Sequence, residues 1–444
     1  MTQLARKLRT IDYFTLGFGT MVGVGWLILM DDWLTRGGPM GAVIGFLLGG
    51  VILLPIGYVY GQLVMAIPDA GSELAYTGKV FPPFVGYITT WTMMLAYLVV
   101  CPWEAVAAGR ILAYIFPGLD SIELYRVAGQ PVYLPHLILG LTITALITWI
   151  NYRGIQISSR FQNWTTFGLL GLFVIFVAAG LAKGSPANLV PPFSQSGLVS
   201  VLLVLQIVPY FMTGFESVAK CAEEANPEFR SRGFFRAILA ALVVGVVFYC
   251  SVIFVVGYAH PWQRLTDKPF ATAYALQHLL GGQWIVKLIL IAALLSLLKI
   301  FNGNFLASTR LLFALGRRGM VGDSMAWIHP RNQTPAIAAV AIGLFTAAGL
   351  FLGRAILIPV TEVGSMASAC GWLAACAAYF VLAKSTGQRL IALTGEIVAV
   401  CLIAMKVVPI IPGHFSRDEW IAFLLWIGLG LIVQRRPLIA NARG

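Results

Sequence analysis

Two ionisable residues stand in the middle of apolar runs: Glu104 in "VVCPWEAVAAGR" and Lys299 in "LLSLLKIFNGNF". A charge at the centre of a bilayer costs at least ~2.5–3.5 kcal/mol on insertion scales, so each must face a partner or water. A carboxylate there can pair with a neighbouring cation. A lysine there can bind and release a proton. A salt bridge between the two, or snorkelling of the lysine, would serve structure alone. Backbone dipoles are a second source of chemistry. The stretch "GFGTMVGVGW" (17–26) carries glycine at 17, 19, 23 and 25, each costing about 1 kcal/mol relative to alanine inside a helix. In "VLLVLQIVPYFMTGFESVAK" (201–220), Pro209 and Gly214 bracket an aromatic patch. Proline removes a helical hydrogen bond and clashes with the preceding turn. A helix interrupted at mid-depth offers N–H groups on one side of the break and carbonyls on the other, a pair complementary to a zwitterion.

The elements that must position these groups are membrane helices. Of 444 residues, 59% are hydrophobic and 11% charged, against roughly 25% charged in a soluble domain. Apolar runs of 18 or more residues recur along the chain, each long enough to cross ~30 Å of hydrocarbon. The expected fold class is an all-α integral membrane protein; a β-barrel would show alternating ten-residue segments. Twelve spans are expected, at roughly 11–36, 39–67, 84–116, 134–152, 161–183, 197–221, 234–258, 284–315, 335–353, 356–383, 389–411 and 418–434. Gly19-x-x-x-Gly23 also fits close helix packing, as Gly41, Gly45 and Gly49 do in the second span. A matching interruption in the first and sixth spans favours the broken-helix reading. It points to a five-plus-five inverted repeat with a midplane site, since irregular backbone at that depth must line a cavity or be buried.

Charge placement sets the orientation. With the N-terminus inside, nineteen Lys and Arg residues fall on the cytoplasmic side, seven on the other and four within spans. Both termini are therefore expected to be cytoplasmic. The net charge of +12 then needs no nucleic-acid partner. The basic N-terminus reads as a retained start, without a cleavage site. Lys287 and Lys406, near span ends, are expected to snorkel, Arg110 to line the outer vestibule, and Arg310 to stand at the inner mouth. The six cysteines have no paired spacing and are expected to be buried free thiols. The histidines lie at span ends or in loops, and no metal or cofactor is expected. No linker leaves room for a soluble catalytic domain, and no Walker loop, kinase set or HExxH appears. An enzyme is not expected.

Several stretches resemble the amino acid–polyamine–organocation (APC) transporter superfamily. "MVGVGW" (21–26) is similar to the family's Gly-x-Gly break in helix 1, and "YGQLVMAIPDAGSELAY" (60–76) to the end of helix 2. "INYRGIQISSRFQN" (150–163) resembles the helix 4–5 junction through Asn151, Gly154 and Gln162. "TGFESVAKCAEEANP" (213–227) resembles helix 6 and its sequel, and "NGNFLASTRLLFALGRRGM" (302–320) the end of helix 8. Trp26 stands where a small aliphatic is usual, and "EFRSRGFFRAI" lacks a proline often seen there.

The resemblance implies a LeuT-like fold with broken helices 1 and 6. Its first repeat would span 11–183 and its second 197–383, with two further helices in 389–434. It implies that amides at Val22, Gly23, Val24 and Gly25 receive a substrate carboxylate. Carbonyls at Tyr210, Phe211, Met212 and Thr213 would receive the amino group, beside Gly214. Tyr210 matches an aromatic lid, and Cys101 and Glu104 flank the distal part of the substrate. Lys299 falls where sodium-coupled relatives place a hydroxyl, while a lysine found on helix 5 of some sodium-independent relatives is replaced here by Leu169. Lys299 would thus occupy the cation site, tying helices 1 and 8 when charged, and Glu216 would steady helix 6 or serve a proton path. The expected function is proton-coupled, sodium-independent transport of an amino acid or organic amine. Obligate exchange of a cationic amino acid, diamine or polyamine is the alternative, and a channel or receptor reusing the fold is the rival of another class.

Overall fold

The computed structural model describes residues 3–268, 270–411 and 414–435; Arg436 and Arg443 of the charge count lie outside them. The first expected span is broken into α1 (Thr10–Met21) and α2 (Gly25–Ile28), with extended backbone at Val22. Then α3 (Met30–Ala66) turns at Gly38, whose φ of 63° only glycine takes without strain, and Pro39 follows. A short α4 (Glu73–Thr77) leads to α5 (Pro83–Leu98) and α6 (Val100–Ile115), which together form one membrane-length segment. The helices α7 (Leu134–Arg153) and α8 (Ile155–Lys183) meet at Gly154, with φ 148°.

The sixth expected span is in three pieces: α9 (Gly197–Leu205), α10 (Val208–Met212) and α11 (Ser217–Lys220). Pro209 sits in the first turn of α10, where its missing N–H costs nothing, and Gly214 opens the gap before α11 with φ 130°. Beyond it run α12 (Arg232–Ala259), α13 (Ala271–Leu280), α14 (Gln283–Arg317), α15 (Ala336–Leu350), α16 (Leu357–Leu382), α17 (Thr386–Val407) and α18 (Arg417–Val433).

Among the described residues, nine helical segments are long and apolar enough to cross a membrane. The other three expected spans fall short for visible reasons. The sixth is fragmented, α15 has 15 residues and α18 has 17. Three of these elements lie outside the expected spans: α4, α13 and an antiparallel hairpin, β1 (Glu123–Val127) with β2 (Gln130–Tyr133). The scaffold around the first break is polar and shared between distant helices. Asn302 donates to Gln162 (2.9 Å) and accepts from Asn151 (2.9 Å) and Ser158 (3.1 Å), while Gln162 reaches the Thr15 carbonyl at 3.3 Å.

Candidate functional site

An α-helix ends with four carbonyls that lack intrahelical partners. At the end of α1 each finds a side chain from another helix. Asn304 donates to Thr20 O at 3.0 Å and Tyr249 to Met21 O at 3.4 Å. Lys299 Nζ donates to Val22 O, and to Gly19 O at 3.5 Å. Ser296 adds bonds to Gly23 O (2.7 Å) and Val22 O (3.3 Å). Lys299 is fully buried, with its ammonium 5.2 Å from the Phe18 ring centroid. Its polar contacts are thus with α1 carbonyls rather than with the Glu104 carboxylate, and it neither pairs with Glu104 nor snorkels.

Glycine lets three elements meet at this point. A Cβ on Gly214 would lie 2.6 Å from the Thr20 carbonyl carbon, and one on Gly303 would lie 2.1 Å from Thr20 Oγ1. Glu216 Oε2 accepts the Gly214 N–H at 3.1 Å, which caps the turn into α11.

Between the two breaks lies a cavity of about 20 Å³, room for a water. Of the residues expected here, Gly23, Gly25, Glu104, Tyr210, Phe211 and Thr213 line it. Cys101, Val22, Val24, Met212 and Gly214 do not. Cys101 is turned about 100° from Val100 on its helix and its thiol faces the Tyr97 carbonyl at 3.7 Å. Gly214 backs onto Thr20, and Val22 and Val24 are fully buried outside the lining. Glu104 lies beside the break, since a Cβ on Gly23 would come within 2.7 Å of its Oε1, and its buried Oε2 has no hydrogen-bond partner among the described residues. Thr213 donates to Ser368 at 2.8 Å across the cavity.

Sequence reasoning missed Ala96, Val100 and Trp103, although with Glu104 they form an i, i+4, i+7, i+8 stripe that one helix face implies. Asn304 and Ser368, also in the lining, carried no such signal. Trp103, Tyr210 and Phe211 also wall a vestibule of about 910 Å³ bounded by Asp31, Arg110 and Asp418, so one aromatic layer separates the two spaces.

The face carrying the N-terminus is closed. Lys7 N and Leu8 N both donate to Glu224 O at 2.9 Å, and Asn226 N returns a bond to Leu8 O at 2.9 Å. Arg310, counted above as a charge at the mouth, is fully buried and grips Glu224 at 2.7 and 3.1 Å. Lys220 is likewise buried and bonds Glu73 at 2.5 Å. Lys406, expected to snorkel, instead pairs with Glu362. A long apolar stem hides such pairings from a reading by position. Of the cysteines, Cys401 is exposed rather than buried.

Glu224→Gln, which strands a buried guanidinium, is expected to destabilise the protein by about 3–5 kcal/mol, measured by unfolding in detergent. The neighbouring Glu223–Arg317 pair (2.5 Å) is partly exposed, and its loss is expected to cost under about 1 kcal/mol. Burial would raise the Glu223 carboxyl, but hydrogen bonds from Arg317 and the Ala70 N–H, with the Arg317 charge, hold it below the ordinary carboxylate value. Stability from a depressed carboxyl is present above the unfolded value and is lost only as pH falls through the lower, folded one. Glu223→Gln should therefore have the same effect at pH 5 as at pH 8.

These features define a multi-pass helical membrane protein with a small central cavity between interrupted helices. The amino acid permease family profile matches residues 8–432, and the chain belongs to that family, within the APC superfamily. Proteins of this family are transporters, not enzymes. The chain is 25% identical to the methylthioribose transporter of Bacillus subtilis (strain 168), over 97% of this chain and 93% of that one. It is 24% identical to the branched-chain amino acid permease BcaP of the same organism, over 97% and 92%. It is 29% identical to the vacuolar cationic amino acid transporter 2 of Arabidopsis thaliana, over 82% and 58%.

Proposed function

We propose that this amino acid transporter is a proton-coupled, sodium-independent carrier of an amino acid or a closely related organic amine, working by alternating access in the cell membrane with both termini cytoplasmic. Its architecture would be the twelve-helix, LeuT-like arrangement, with repeats at 11–183 and 197–383 and two further helices in 389–434. The observation that carries the reading is the Lys299 ammonium on the carbonyls of Gly19 and Val22. A protein cation there competes with a metal cation for the same oxygens, and a lysine, unlike sodium, can release its charge as a proton. Amides at the start of α2 suit a carboxylate, and the α10 carbonyls suit an amine. Glu216 would steady the start of α11.

Reconstitution in proteoliposomes tests this. Uptake should be saturable, accelerated by substrate on the far side, driven by an inward proton gradient and indifferent to sodium. Linear flux without trans-stimulation would instead mark a channel.

A second reading, exchange of a cationic amino acid, diamine or polyamine, is favoured by the unpartnered Glu104 Oε2. Under it, Glu104→Gln should weaken transport of lysine, arginine or putrescine about 30-fold or more while sparing neutral substrates. Competition assays with both classes of substrate decide between the two.

A further inference from the structure

Arg9, Arg230, Arg232 and Arg236 line one concave surface of about 800 Å³ together with Asn226, Phe229 and a single carboxylate, Glu228. Four guanidinium groups against one carboxylate make it strongly positive. Arg9 is the residue before α1 and leans on Asp12 at 3.6 Å, with its side chain 70% exposed. Arg230, Arg232 and Arg236 are exposed, and among the described residues none of the three has an ion-pair partner.

The cluster is held in place. The Phe229 ring packs between Tyr13 (5.0 Å) and Phe234 (4.5 Å). Gly233 leaves room for it, since a Cβ there would come within 2.6 Å of that ring. Backbone bonds from Phe229 N to Asn226 O (2.8 Å) and Gly233 N to Arg230 O (2.7 Å) fix the turn. Ser231 at the N-cap of α12 makes no side-chain capping bond, so the first N–H groups of that helix add to the positive field.

Depth identifies the ligand. Two membrane-length segments, Thr10–Ile28 and Arg232–Ala259, both begin at this concavity. It therefore lies at the level of lipid headgroups, where a phosphodiester is the abundant anion and arginine its bidentate partner. We propose that this surface binds the headgroup of an anionic phospholipid, whose phosphate bridges Arg9, at the start of α1, to the arginines at the start of α12. The bridge adds to the backbone bonds that join residues 7–8 to 224–226 and so holds the N-terminal face closed.

The test uses the full chain in neutral detergent, titrated with palmitoyl-oleoyl phosphatidylglycerol, with phosphatidylcholine or with inorganic phosphate. Retained lipid is counted by native mass spectrometry and stability is read by thermal unfolding. Wild type should retain phosphatidylglycerol over phosphatidylcholine and be stabilised by it. R230Q/R232Q/R236Q should bind it roughly tenfold more weakly or worse, and R230K/R232K/R236K, which keeps the charge, should recover most of the difference. R153Q/R160Q/R331Q removes the same charge elsewhere and should leave retention unchanged. Equal losses in both glutamine variants would reduce the effect to diffuse net charge and overturn the site. Unchanged retention in R230Q/R232Q/R236Q would overturn it too, as would displacement of the lipid by millimolar inorganic phosphate, which would mark a free-anion site.

Discussion

Lys299→Ala is expected to abolish proton-driven accumulation, lowering it by about 100-fold or more, while leaving substrate exchange at equal pH measurable. Lys299 supplies the only cation seen on the α1 carbonyls among the described residues, with Ser296 beside it. Its removal leaves Gly19 O without a donor and Val22 O with the 3.3 Å bond from Ser296. Each unmet buried acceptor costs about 1–3 kcal/mol, so α1 should be held less tightly against α14. The alanine side chain cannot carry a proton, and coupling should go with the ammonium. Parallel measurements of counterflow and of gradient-driven uptake across pH separate the two effects. Transport by the variant that stayed fully pH-responsive would remove Lys299 from the coupling mechanism.

Gly214→Ala is the substitution expected to cost most in folding. Its φ of 130° is one that side-chain-bearing residues rarely adopt, and the added methyl would lie 2.6–2.8 Å from three backbone atoms of Thr20 and Met21. Backbone cannot swing aside as a side chain can, so the gap between α10 and α11 would have to move away from α1. A loss of several kcal/mol, seen as poor yield of folded protein and no transport, is expected. Gly171→Ala, in the middle of α8 with nothing within 4 Å of the added carbon, is the control. It should be neutral or stabilising by up to about 1 kcal/mol. Equal behaviour of the two variants in size-exclusion and unfolding assays would show that the close crossing at Gly214 has no energetic weight.

What could be read from the chain itself divides by range. Interruptions at Gly23 and Gly214 were legible because proline and glycine act on their own backbone. Apolar length made the membrane class legible for a similarly local reason. Partners far apart in the chain were not. Lys220 and Glu73 are 147 positions apart, and Arg310 and Glu224 are 86 apart. Nothing in either neighbourhood names the other, so both cations looked peripheral. The same holds for the cavity wall. Glu104 announces itself by its charge, but Ser368 and Gly364, which also line the cavity, look like ordinary small residues of a packed helix. The hairpin and α13 sit in stretches too short and too polar to register as spans.

The narrowness of the central cavity has a consequence for affinity. A Cβ on Gly25 would come 2.5 Å from the Phe211 ring, and that ring also meets Trp33 edge-on at 4.8 Å. The gap between α2 and α10 is thus filled by an aromatic side chain. With the cargo seated in this cavity, as proposed above, any solute larger than water would have to wait for Tyr210, Phe211 or Trp103 to swing away, so only a fraction of molecules would be receptive at any instant. The dissociation constant measured at equilibrium is then the intrinsic one divided by that fraction. Weak apparent binding here would report how seldom the door stands ajar, and not how poorly the cargo fits once inside.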